Sequence, residues 1–135
     1  MNTMLKNVIE GFTELTQQQI FDLAVKHIGS TGKQSTNFSG SCVYGGSGCN
    51  AAPLLTDEGK KVGDMGFSDW QKMADHGDVP EHEAEFITAL QESHDNCIKP
   101  DGWAFKWEYD ANMRELASEF KLNTTELDKL GWKRD

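Results

Sequence analysis

The chain has 135 residues, 22 acidic side chains against 13 basic ones, a net charge of −9 and 37% hydrophobic residues. That length and composition fit one domain, residues 1–135, with a modest core, and no apolar run approaches the roughly 18–20 residues of a membrane span. A direct nucleic-acid binder would carry the opposite sign of charge, so neither nucleic acid nor membrane is an expected partner.

In chain order, Met4, Leu5, Val8, Ile9 and Phe12 recur at helical spacing, with Gly11 as a stop. Residues 1–12 are therefore expected as a short helix or a loose arm. The N-terminus lacks the long apolar region and small-residue cleavage site of a signal peptide. With an odd number of cysteines, three, this points to reduced thiols in the cytoplasm. Thr16-Gln17-Gln18-Gln19 fits a capping box, and Leu15 with Ile20 fits a hydrophobic staple. Ile20, Phe21, Ala24, Val25 and Ile28 then form a buried face, with Gly29 as the stop. Ser30 to Gly40 reads as loop.

Cys42-Val43-Tyr44 and Cys49-Asn50-Ala51-Ala52 flank Gly45-Gly46-Ser47-Gly48, a composition that predicts a β-hairpin with a glycine turn. Period-two alternation would put Cys42, Tyr44, Cys49 and Ala51 on one face. Cys42 and Cys49 would be diagonal neighbours, roughly 7–8 Å apart, too far for an easy disulfide. Pro53 would end the pairing.

Beyond it, Thr56-Asp57-Glu58 suits the cap of a single turn, and Ser68-Asp69-Trp70-Gln71 the start of a short helix ended by Gly77. Asp78-Val79-Pro80-Glu81 predicts a strong helix start over Pro80–Ile98, with Ile87, Leu90, His94 and Cys97 as its apolar stripe. Pro100-Asp101-Gly102 breaks it. A last long helix carries Tyr109, Met113, Leu116, Ala117 and Phe120 inward. Asn123 or Thr124 caps a terminal turn within a tail, residues 123–135, made basic by Lys129, Lys133 and Arg134. The fold class expected is α+β, mainly α: about four helices around one β-hairpin.

The order Gly32-Lys33-Gln34-Ser35, Cys42-Val43-Tyr44, Cys49 to Asp57, Leu90-Gln91-Glu92-Ser93-His94-Asp95 and the final helix to Leu122 resembles an uncharacterised family of small bacterial and phage proteins. The similarity spans roughly residues 16–122. It departs from the family pattern at Gly45, where the family has a basic residue, and at Ala52-Pro53, where it prefers a small residue such as glycine. The resemblance implies a compact accessory protein, often phage-encoded, and brings no activity with it.

Three functional readings arise from the residues. Residues 1–56 balance three bases with three acids, so the net charge lies beyond them. Nine acids but only Lys72 as base fall between Asp64 and Asp95. Such a run suits a non-enzymatic interaction protein whose acidic face meets a basic protein surface. The candidate contacts are Asp69, Asp75, Glu81, Glu85 and Glu92, with Trp103 and Trp107 as exposed anchors. On the resemblance, this would be a phage protein inhibiting a host nucleic-acid-binding or defence factor in the host cytoplasm, with no cofactor. The second reading is a thiol hydrolase with Cys49 as nucleophile, His94 as base and a distant acid such as Asp57 orienting the ring. Asp95, adjoining His94, would point about 100° away. The third is a zinc-stabilised module using Cys42, Cys49, His94 and Cys97.

Overall fold

The computed structural model describes residues 3–36, 43–45, 48–66 and 69–134. Among these described residues the regular structure is seven α-helices and two 3-10 turns, the helices being α1 Thr3–Asn7, α2 Gln17–Thr31, α3 Asp57–Gly66, α4 Trp70–Asp75, α5 Ala84–Asp95, α6 Gly102–Phe120 and α7 Thr125–Leu130. Among the described residues there is no strand and no sheet; an isolated antiparallel bridge joins Val8 and Leu55. The expected α+β class and its hairpin are thereby corrected to an all-helical fold.

The hairpin fails because its backbone donors find other acceptors. The amides of Tyr44 and Gly45 donate to the two carboxylate oxygens of Asp64, at 2.8 and 3.0 Å. Val43 instead pairs with Ser35, giving its amide to the Ser35 carbonyl and taking the Ser35 hydroxyl on its own. Beyond Gly48 the chain turns at Cys49 and enters the 3-10 turn Ala52–Leu54. Cys42, Gly46 and Ser47 lie outside the described residues. The segment is nonetheless central. Asn50 is fully buried, donates to the Leu90 carbonyl at 2.7 Å and accepts from the Tyr109 hydroxyl at 2.8 Å. It thus ties the irregular segment to both α5 and α6.

Two helices follow their local signals closely. Thr16 and Gln19 exchange both capping-box bonds, at 3.1 and 2.9 Å, and α2 buries Ile20, Phe21, Ala24, Val25 and Ile28 as expected. α6 buries Phe105, Tyr109, Met113, Leu116 and Ala117. Other boundaries moved for tertiary reasons. α2 runs through Gly29 to Thr31, capped by Gly32, and Leu130 of α7 lies where a Gly29 side chain would be. α5 starts at Ala84 rather than Pro80, with Glu83 in the left-handed region ahead of it. In place of one turn at Thr56, α3 runs ten residues despite its glycines.

Those glycines are where neighbours come close. A Cβ at Gly59 would sit on the Asn7 carbonyl oxygen, and one at Gly63 would lie 2.5 Å from the Tyr44 ring. α1 and Tyr44 therefore pack on bare helix backbone. At the other end, Arg114 joins Asp110 to Asp128 at 2.7 and 2.8 Å and anchors α7 to α6. Val8, Phe12, Leu127 and Trp132 all belong to the one core, so both terminal segments are built into the domain.

Candidate partner interface

The helix α5 divides its residues between a buried polar seam and an open acidic groove. The seam holds most of the motif fragments behind the family resemblance. The Ser35 amide donates to His94 Nε2 at 3.0 Å. Since that nitrogen accepts, the proton sits on Nδ1, which donates to Asp95 Oδ1 at 2.7 Å. Gln34 shares its side-chain amide among the carbonyls of His94, Asp95 and Cys97, closing the C-terminal end of α5. One turn earlier, Gln91 donates to the Tyr44 hydroxyl and accepts from the Trp70 amide, both at 2.7 Å.

This seam answers the hydrolase and zinc readings residue by residue. His94 is fully buried and both ring nitrogens are engaged, so neither is open to a substrate or a metal. Asp95 does orient the ring, contrary to expectation. Nδ1 lies on the ring edge nearest the backbone, within reach of a short neighbouring carboxylate. Asp57 instead sits exposed at the start of α3. Cys49 is buried and disulfide-bonded, which corrects the expectation of three reduced thiols and removes it as a nucleophile. The diagonal spacing that argued against a disulfide belonged to the hairpin, which does not form. Cys42 lies outside the described residues. Among those described, no group of three or more His, Cys, Asp or Glu is placed to hold a metal.

Burial is the leading cause of the other electrostatic shifts in this region. Asp95 is raised above its ordinary value by desolvation, against the opposing pull of His94. Cys97, a free thiol, is pushed up to about 12 by burial and secondarily by Glu108. Native Cys97 is therefore expected to alkylate slowly at pH 8 and quickly once unfolded, as read by mass spectrometry; native labelling at the unfolded rate would contradict its burial. Its share of stability is fully present below pH 9.0, the ordinary thiol value, and is lost as pH rises through about 12.

The groove lies between α5 and α6, which run antiparallel: Phe86 stacks edge-on with Phe120, and Asn112 donates to the Ser93 carbonyl nearer the other end. Ala89 and Leu116 supply apolar surface, Ser93 and Asn112 amide and hydroxyl groups, and Glu92, Glu115 and Glu119 its charge. Its volume is about 200 Å³. The expected contacts scatter around this centre. Glu85 and Glu92 are seven residues apart, hence on one exposed stripe of α5. Glu81 is exposed in the turn before it. Asp69 caps α4, accepting from the Lys72 amide, and Asp75 accepts from Gln71 on the same helix. Among the described residues none of these acids, nor Glu115 or Glu119, is in an ion pair.

Trp103 and Trp107 are 54% and 36% exposed, as expected of anchors. They do not join the acidic groove. At ~100° per residue the pair projects about 120° around α6 from Glu115 and Glu119, and both tryptophans lie at least two turns nearer its N-terminal end. Sequence reasoning missed Glu115 and Glu119, although their four-residue spacing on the final helix was visible. No protein-family model matches the chain, nor does any curated protein or any solved structure.

Proposed function

We propose that the protein is a small, acidic, non-enzymatic interaction module that seats basic side chains of a protein partner in the α5–α6 groove. One observation carries this: Glu92, Glu115 and Glu119 converge on a groove that Ala89 and Leu116 also line, and among the described residues none of the three is in an ion pair. Like charge held without counterions costs stability through self-repulsion, and a basic partner relieves it. Lysine and arginine stems also bury against apolar surface while their heads meet carboxylates. The phage setting and the inhibition of a host factor come from the resemblance alone, and the groove needs neither.

Among the described residues no helix is long and apolar enough to cross a membrane. Action in the cytoplasm suits an encounter with nucleic-acid-binding or defence proteins. The Cys49 disulfide argues the other way, since disulfides persist in oxidising compartments.

The test is titration calorimetry with an arginine-rich peptide. Wild type should bind saturably and more weakly as salt rises. The triple variant Glu92→Lys, Glu115→Lys, Glu119→Lys should lose roughly ten- to hundredfold in affinity, at up to about 1 kcal/mol per exposed pair, with its Tm preserved. A control reversal at Asp75 and Glu81, outside the groove, should leave binding near wild type. Equal loss in both variants would reduce the groove to general charge and end the proposal.

A further inference from the structure

At the N-terminal end of α6 the charge changes sign. Trp103 and Trp107 lie 6.3 Å apart between ring centroids, tilted by 34°. Lys106 stands over the Trp103 ring and Arg134 over that of Trp107, each at 4.7 Å. With Gly131 and Lys133 the two indoles line an open depression of about 510 Å³. Among the described residues, neither Lys106, Lys133 nor Arg134 is in an ion pair. The base below is fixed, because Trp132 is buried against Phe105 and Tyr109 and Lys106 also faces its ring, at 5.5 Å.

We propose that this patch is a second docking surface, opposite in charge to the groove, for an acidic peptide segment carrying an apolar side chain. Each indole already has a cation of its own on one face, which leaves its remaining exposed surface for an apolar side chain. The ammonium and guanidinium groups keep hydrogen-bond donors for carboxylates beside that side chain. The groove acids do not cancel the patch. Trp103 and Glu115 are twelve residues apart on α6, about 18 Å along its axis, beyond a screening length of roughly 8–10 Å.

Charge complementarity favours a short acidic segment over other occupants. A long polyanion such as single-stranded nucleic acid would bring a charge at every phosphate against a chain of net −9. Two copies meeting patch to patch would set three cations against three. An anionic membrane would need an extended apolar face, and here the exposed apolar surface is two indoles.

The experiment uses the full chain and an array of short peptides in which one leucine or phenylalanine is flanked by Asp and Glu. Lysine-substituted versions, oligo-dT and anionic phosphatidylserine vesicles are the comparison probes. Acrylamide quenching reads the exposed indoles, since Trp70 and Trp132 are buried. At least one acidic peptide should protect Trp103 and Trp107, and its affinity should fall tenfold or more in Lys133→Glu/Arg134→Glu and in Trp103→Ala. The groove variant should bind it normally, so failure here is separable from failure of the basic-partner proposal. Protection by no acidic peptide would overturn the inference. So would protection by oligo-dT or vesicles instead, or protection that tracks self-association in sedimentation.

Discussion

His94→Ala is expected to cost about 3–5 kcal/mol, adding a cavity to a buried donor left without its acceptor. The ring is fully buried, accepts the Ser35 amide, donates to Asp95 and meets Phe105 edge-on at a centroid distance of 6.2 Å. Against a total of roughly 5–15 kcal/mol for a domain, that loss should lower Tm by roughly 10–20 °C. Hydrogen exchange should localise it: the Ser35 and Val43 amides, which hang on this junction, should lose protection first. The loss also has a predicted pH dependence. Burial already raises Asp95, and the His94 hydrogen bond opposes that rise. Without the imidazole Asp95 goes higher still. A carboxyl raised in the fold contributes stability that is complete below its ordinary value of 3.8 and lost as pH rises through the folded value. The gap between wild type and variant should therefore be wider at pH 7 than near pH 4. A cost below about 1 kcal/mol, or a gap independent of pH, would show that the seam does not hold the fold in this way.

Gly59→Ala should cost about 2–4 kcal/mol by overpacking, although alanine favours a helix interior by ~1 kcal/mol over glycine. The added methyl would meet the Asn7 carbonyl, a backbone group that also accepts the Thr56 amide at 3.0 Å. α1 must move, and with it the Val8–Leu55 bridge and the Asn7 side-chain bond to the Asp78 carbonyl. Gly63→Ala should behave alike, through the Tyr44 ring. Gly77→Ala is the contrast. Nothing lies within 4 Å of its Cβ position, but its φ of +78° is unfavourable to a side chain. It should cost only about 1–2 kcal/mol. Urea denaturation of the three variants tests the order. A Gly59→Ala protein as stable as wild type would refute the close packing of α1 on α3.

What the sequence determined by itself were the features set within a few residues. The Thr16–Gln19 capping box is two reciprocal bonds across one turn, and any chain with those side chains can form it. The stripes of α2, α5 and α6 are likewise periodic in sequence, and Ile87, Leu90 and His94 are buried where their spacing puts them. Glycine in α3 gave the wrong local signal, because its value there is the room it leaves for Asn7 and Tyr44. The hairpin failed for a related reason. Cys42-Val43-Tyr44 has strand-prone residues, but a strand needs a partner edge, and Asp64 and Ser35 bond the described donors first. The candidate site divides in the same way. Glu85 and Glu92 on one exposed stripe were legible from spacing. Glu115 and Glu119 meet Glu92 only because α6 returns antiparallel along α5, and the two tryptophans part from them because helical phase carries them to another face. Charge is written in the sequence; which charges share a surface is decided by how helices pack.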